Sequence, residues 1–209
     1  NDDLVSTASL MIGVTAANPG KDTFLITAGV AAIVAGAMSM AVGEYVSVRS
    51  QNDVEESDKQ MEIDHLAVDP DGELMELAQI YIERGLTPEL AQEVARQMHA
   101  RDPLEAHLRD ELGQTPQNKA RPMQAAVASA ASFTVGGLIP FAGAFAPTPG
   151  TIALSIVGFT LVGLLVTGIL SARTAGKDVF GPTVRVMLGG AFGMAVTAGI
   201  GRLLHINLG

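Results

Sequence analysis

One stretch of this chain, residues 23–66, constrains its fold more than any other, because it begins apolar and ends acidic without a break. The segment from Phe24 to Val42 carries no charge, and its length approaches the roughly 20 residues that a helix needs to cross about 30 Å of hydrocarbon. No proline separates it from the acidic run between Asp53 and His65. We therefore predict one long helix whose first half lies in a membrane and whose second half lies in water.

The charged residues are divided unevenly along the sequence. Residues 53–117 hold 17 of the 22 acids but only 5 of the 13 lysines and arginines, although 48% of the whole chain is hydrophobic. The remainder is nearly uncharged and rich in small and aliphatic residues, which is typical of membrane spans. This division predicts an all-α protein with five membrane spans and a small acidic helical domain inserted between spans 2 and 3. Such an acidic insert argues against binding to nucleic acid, whose phosphates favour basic surfaces.

The predicted boundaries assign residues 1–47 to spans 1 and 2, residues 48–120 to the insert and residues 121–209 to spans 3 to 5. The first apolar run is only about 14 residues long, which is short for a span. It is either a re-entrant segment or a span whose first residues are missing, and we favour the second interpretation. Basic residues flank the connections on one side and are scarce on the other, so the positive-inside rule places residues 48–120 in the cytoplasm.

Local signals divide the insert into short helices. Thr87-Pro88 and Asp102-Pro103 each combine an N-cap residue with a proline at the first helical position. Gly85 and Gly113 predict the ends of two of these helices. In span 3, Pro140 predicts a break in the helix.

Two carboxylates and a methionine are candidates for a path through the membrane. A charge buried in a bilayer is costly, so Asp2 at the start of span 1 and Glu44 near the end of span 2 are predicted to be functional. The alternative is that both lie at interfacial depth, where this cost is small. Methionine in a span usually serves packing, but the thioether of Met40 beside carboxylates would suit a transition metal better than Mg²⁺ or Ca²⁺.

The insert combines carboxylates and histidines at spacings that place them together on helix faces. The candidate metal ligands are Glu55, Asp58, Glu62, His65, Glu73, Glu76, His107 and Glu111. Carboxylate and imidazole ligands suit Fe, Mn, Co and Zn. The alternative interpretation is a solvated acidic face, which is the usual role of an isolated charged run. His99 and His205 are interpreted as ordinary surface and interfacial residues.

The sequence offers no signature of an enzyme. It contains no glycine-rich phosphate loop, and no nucleophile stands with a histidine in a recognisable catalytic arrangement. The absence of cysteine excludes disulfides and thiolate metal sites. We therefore predict a non-enzymatic membrane protein with no permanently bound cofactor.

Two motifs resemble those of the vacuolar iron transporter family. The first is NDDLVST at residues 1–7, and the second is AMSMAVGEYVSV at residues 37–48. The similarity extends to Gln124-Ala125-Ala126 at the start of span 3. This resemblance implies a homodimer in a lipid bilayer, with five spans per copy. It also implies that ferrous iron leaves the cytoplasm along a path between the copies, in exchange for protons, and that the insert is a metal-binding domain.

The same resemblance implies roles for individual residues. Asp2 resembles the path aspartate of the first span, and Met40 resembles the path methionine. Four positions of the insert fall where the family has metal-binding glutamates: Glu62, Glu73, Glu76 and Glu111. His65 and His107 occupy places where plant members have Glu and Met, so Mn²⁺, Co²⁺ and Zn²⁺ are further candidate cargoes beside Fe²⁺. Asp3 stands where the family has glycine, and it adds a second acid to the membrane.

Two other functions remain open. The chain could be a manganese exporter of the same build, or a membrane-anchored iron store or sensor whose spans serve only as an anchor. Its composition, rich in alanine and glycine and free of cysteine, favours a prokaryotic source and hence the inner membrane of a cell. In a eukaryote the expected location is the vacuolar membrane.

Overall fold

The structure is a computed structural model, and it describes residues 1–18, 22–115, 120–146 and 148–208. Across these ranges the secondary structure is helical, without a β-strand, which confirms the predicted all-α class. The α-helices are α1 (Asp2–Ala17), α2 (Asp22–Val68), α3 (Pro70–Glu83), α4 (Pro88–Arg101), α5 (Pro103–Asp110), α6 (Pro122–Ala142), α7 (Ile152–Thr174) and α8 (Phe180–Leu208). Two short 3-10 turns, Gly143–Phe145 and Pro149–Thr151, lie between α6 and α7.

The chain divides into two compact units. Residues 1–44 and 124–209 form the first, which we call the membrane unit, and residues 45–123 form the second, which we call the insert unit. Helix α2 contributes residues to both. The assignment of residues 48–120 to a cytoplasmic domain stays a prediction.

Four helices of the described chain are long and apolar enough to cross a bilayer, as expected of a multi-pass membrane protein. The candidate spans are Phe24–Val68, Pro122–Phe145, Ile152–Thr174 and Phe180–His205. Helix α1 has 16 residues, fewer than a typical span, so a fifth crossing stays a prediction. It nevertheless packs against α7 and α8 within the membrane unit.

Glycines of α2 make room for aromatic rings of α6 in the membrane unit. The ring of Phe133 lies where a side chain at Gly36 would be, and the ring of Phe141 occupies the same place at Gly29. Each glycine therefore leaves room for an aromatic ring, as expected for small residues at helix interfaces in membranes. Pro140 lies inside α6, close to the end of the helix, so the predicted break at this proline is wrong.

One face of α2 in the membrane unit is apolar yet exposed in the single chain. Its residues follow each other at intervals of four, and they are Val30, Val34, Met38 and Val42, with 48–60% of each side chain exposed. Within a bilayer, such a face is compatible with contact to lipid or to another helix, because both are as apolar as the side chains themselves.

Two helices of the insert unit, α4 and α5, begin where the sequence predicts. The backbone N–H of Leu90 donates to Thr87 Oγ1, and the N–H of Glu105 donates to Asp102 Oδ1. In each case proline follows the cap residue at the start of the helix. A third cap, at Asp69, starts α3 in the same way. These caps satisfy backbone donors that have no partner in the first helical turn.

A small apolar core joins α3, α4 and α5. Leu77 and Tyr81 of α3 are buried in one cluster with alanines of the other two helices, namely Ala91, Ala95 and Ala106. Because an alanine side chain ends at Cβ, it allows close packing of α4 and α5 on α3. The three helices therefore share one apolar core.

Asp110, the last residue of α5, ties this helix to α3. Tyr81 Oη donates a hydrogen bond of 2.8 Å to Asp110 Oδ2, and Arg84 Nη1 donates one of 2.7 Å to Oδ1. Burial acts to raise the pKa of Asp110. Hydrogen bonds from Arg109, Arg84 and Tyr81 outweigh burial and lower this pKa from 3.8 to about 2. Helix α5 ends here, before Gly113, where the sequence predicted its end.

Replacing Asp110 by asparagine should destabilise the insert unit at neutral pH. A carboxyl group whose pKa falls from 3.8 to about 2 on folding contributes about 2 kcal/mol to the free energy of unfolding. Because the folded pKa is the lower one, this contribution is complete above the unfolded pKa and is lost as the pH falls through the folded pKa.

Urea unfolding of the full chain in mild detergent, followed by circular dichroism, measures this effect. The stability difference between wild type and Asp110→Asn should be greatest near pH 7 and should shrink between about pH 4 and pH 2. Asp71→Asn, at an exposed position of α3, is the matched control. A control variant that loses as much stability as Asp110→Asn would contradict the assigned role of Asp110.

Candidate functional site

A buried histidine of the insert unit lies among three carboxylates. His107 has no exposed side-chain surface, and its Nδ1 lies 3.0 Å from Glu111 Oε2 and 3.1 Å from Glu62 Oε1. Oε2 of Glu73 is 3.8 Å from the same nitrogen. The carboxylates come from α2 and α3 and from the residue that follows α5. We call these four side chains, Glu62, Glu73, His107 and Glu111, the carboxylate cluster.

His65 adds a second imidazole next to the cluster. Its Nδ1 lies 3.8 Å from Glu73 Oε1, and its side chain is 63% exposed. Two sets of donor atoms share Glu62, and within each set the atoms lie within 4.8 Å of one another. The sets are Glu62 with His65 and Glu73, and Glu62 with His107 and Glu111. Mixed carboxylate and imidazole donors suit a divalent transition metal.

The electrostatics of the cluster favour a cation. Glu62 is only 4% exposed and Glu73 only 9%. Burial raises the pKa of Glu62 above its usual value, while the imidazole of His107 opposes this rise. The neighbouring carboxylates of Glu111 and Glu73 raise the same pKa further. A bound cation would offset both the repulsion between these carboxylates and the cost of burying them.

Three predicted ligands lie outside both sets of donor atoms within the described residues, namely Glu55, Asp58 and Glu76. Glu76 is exposed on α3. Glu55 lines a separate pocket of about 400 Å³ together with Arg49 and Lys59. Their role as ligands stays a prediction.

Sequence reasoning missed His99, which it treated as an ordinary surface residue. The His99 ring meets the His107 ring edge to face, with the ring centroids 6.3 Å apart. His99 lies on α4 and His107 on α5. Their contact arises from the packing of two helices, so no spacing within a single helix indicates it.

Asp2 and Met40 line one cavity of the membrane unit, and its volume is about 310 Å³. The other lining residues are small or apolar, and they are Ser6, Thr7, Leu10, Ala32, Ala35, Gly36, Ser39 and Phe133. The two side chains predicted to form a path therefore border a common space. Glu44 is exposed and is not among the lining residues, so its place in a path stays a prediction.

Asp3, the second acid predicted in the membrane, packs inside the membrane unit. Its carboxylate lies against the backbone of Gly136 on α6, in the space that a side chain at position 136 would fill. Only 15% of the Asp3 side chain is exposed. Close approach of another group to the backbone is a situation in which glycine is needed.

The sequence matches the family model described as the VIT family over residues 1–202. A vacuolar iron transporter of Acanthamoeba castellanii is 44% identical over 180 residues, which cover 86% of this chain and 69% of that protein. Vacuolar iron transporter homolog 1 of Arabidopsis thaliana is 34% identical over 206 residues, which cover 98% of this chain and 78% of that protein. Vacuolar iron transporter 1 of Oryza sativa subsp. japonica is 31% identical over 209 residues, covering 98% and 82%.

These relatives come from an amoeba and from plants, so they do not support the expectation of a prokaryotic source. The family model spans nearly the whole chain, and the relatives are aligned over most of their own length. The resemblance drawn from residues 1–7 and 37–48 is thereby confirmed. The chain belongs to the vacuolar iron transporter family.

Proposed function

We propose that this chain is a membrane transporter that moves ferrous iron out of the cytoplasm in exchange for protons. The cavity shared by Asp2 and Met40 carries the proposal, because it places a carboxylate and a thioether at one space in the membrane unit. Relatives named as vacuolar iron transporters support iron as the cargo. The protein acts without enzymatic chemistry.

Asp2 couples the two fluxes in this proposal. A charged carboxylate in surroundings of low dielectric is costly unless a partner compensates it. Either a proton or a metal cation neutralises Asp2, and the two compete for the same group. The thioether of Met40 adds a soft donor, which favours a transition metal over Mg²⁺ or Ca²⁺. Exchange of one occupant for the other at Asp2 links metal transport to proton transport.

The insert unit gathers the metal before transport. Residues 53–117 contain 17 acids and only 5 basic residues, and such an excess of negative charge raises the local concentration of cations. The carboxylate cluster and His65 offer oxygen and nitrogen donors in two sets that share Glu62, and the atoms of each set lie within the distances of a binding site. These donors suit Fe²⁺, with Mn²⁺, Co²⁺ and Zn²⁺ as further cargoes.

The distribution of basic residues supports the proposed orientation in the membrane, and the exposed apolar face of α2 supports the proposed assembly. Basic residues lie at the connections on the same side as the insert and are scarce on the other side, and this distribution favours a cytoplasmic insert. A eukaryotic source, in line with the relatives, would place the protein in the vacuolar membrane. A second copy of the chain would cover the exposed apolar face of α2 that contains Val34 and Met38, which gives the homodimer implied by the family resemblance.

Replacing Asp2 by alanine should abolish Fe²⁺ flux into proteoliposomes at any pH gradient, because neither a proton nor a metal cation can then bind at this position. Flux is measured with an Fe²⁺-sensitive dye inside the vesicles, with and without a proton gradient. Asp178→Asn is the matched control, since Asp178 is an exposed acid in the connection between α7 and α8. Undiminished flux in Asp2→Ala would remove the coupling role.

The same vesicles distinguish the alternatives. A manganese exporter of the same build would transport Mn²⁺ in preference to Fe²⁺ when both ions are supplied. A membrane-anchored iron store or sensor would retain metal but give no flux in the wild-type chain. Either result would replace the proposed function.

Replacing Glu73 by glutamine should weaken Fe²⁺ binding to the full chain by about tenfold, equivalent to about 1.4 kcal/mol, because one buried charge of the cluster is lost. Anaerobic titration calorimetry measures the affinity, and the flux assay should show slower transport that does not cease. Glu83→Gln, an exposed acid at the end of the same helix, is the control. Equal affinities for wild type and Glu73→Gln would exclude Glu73 as a ligand.

A further inference from the structure

Two ring nitrogens of the insert unit are buried and have no hydrogen-bond partner among the described residues. One is Nε2 of His107, whose side chain has no exposed surface, and the other is Nδ1 of His99. They belong to rings that meet edge to face, with centroids 6.3 Å apart. An unsatisfied buried polar atom costs about 1–3 kcal/mol. Two such atoms on adjacent rings therefore require a physical explanation.

The other nitrogen of His107 indicates what its Nε2 requires. Nδ1 lies 3.1 Å from Glu62 and 3.0 Å from Glu111, so it is the nitrogen that faces a cation bound among the carboxylates. To bind a cation, Nδ1 must present its lone pair, and the neutral ring then carries its proton on Nε2. Metal-binding histidines almost always donate this second N–H to an acceptor, which fixes the tautomer and the orientation of the ring.

We propose that His99 supplies this acceptor, through one bridging water, and is a positioning residue for His107. A ring nitrogen lies about 1 Å from its centroid, so a centroid distance of 6.3 Å is too long for a direct hydrogen bond of about 3 Å and compatible with a bridge through a single water. His107 Nε2–H donates to the water, and the water donates to His99 Nδ1.

This arrangement would keep the Nδ1 lone pair of His107 directed at the carboxylate cluster. Helix α4 would thereby contribute to a site whose cluster residues come from α2, α3 and the region of α5. The inference rests on the proposed function, because it assumes that the cluster binds the metal cargo. It adds a residue of α4 that lies beside His107 and is not a member of the carboxylate cluster.

The test uses the full chain in detergent, labelled with ¹⁵N-histidine, and Zn²⁺ as a diamagnetic probe. The chain has four histidines, so single substitutions assign their ring nitrogens in NMR spectra. In Zn²⁺-loaded wild type, we expect His107 to bind metal through Nδ1 and to carry a hydrogen-bonded, downfield-shifted proton on Nε2. His99→Leu should remove the downfield shift and weaken Zn²⁺ binding by about tenfold. His99→Gln retains an acceptor oxygen, so it should preserve most of both.

The control is His205→Leu, which removes a histidine of the membrane unit and should change neither readout. Unchanged Zn²⁺ affinity and proton shift in His99→Leu would overturn the positioning role while leaving the metal site in place. A loss in His99→Gln as large as that in His99→Leu would also overturn it, because the ring would then only fill space. If wild-type His107 does not bind Zn²⁺ through Nδ1, the positioning role fails, and Zn²⁺ that still binds would be assigned to the set of Glu62, His65 and Glu73.

Discussion

The structure of the insert unit is built around one arrangement, in which carboxylates are held out of water beside a buried imidazole. Such groups are costly to bury unless they are paired, and their partners here come from different helices. Glu62 and Glu73 meet His107 only when α2, α3 and α5 are packed together. The hydrogen bond from Tyr81 to Asp110 joins α3 to α5, and it therefore helps to hold in place the helix that carries His107. The cluster therefore forms only when these helices pack together.

Features that depend on near neighbours in the chain could be predicted from the sequence. The cap residues Thr87 and Asp102 begin their helices as predicted, because a side-chain oxygen followed by proline determines a helix start locally. The charge-free run from Phe24 to Val42 likewise indicates a span by its length and composition. Pro140 misled the prediction, since a proline near the end of a helix need not terminate it there.

Features that depend on packing between helices could not be predicted in the same way. Helical spacing makes Glu55, Asp58 and Glu62 equivalent, yet of these three only Glu62 belongs to the two sets of donor atoms found in the described part of the chain. The difference arises from where α2 meets the other helices, which no single helix encodes. His99 shows the same limit, because its contact with His107 crosses from α4 to α5. The resemblance to a family indicated several cluster residues, but it did not indicate His99.

The packing of Asp3 on Gly136 has an evolutionary consequence. The carboxylate fills the space that a β-carbon at position 136 would need, so any larger residue there would collide with it. The two positions should therefore vary as a linked pair, with a side chain at 136 tolerated only in homologues that have a small residue at position 3. A substitution that is harmless in one homologue would then be damaging in another.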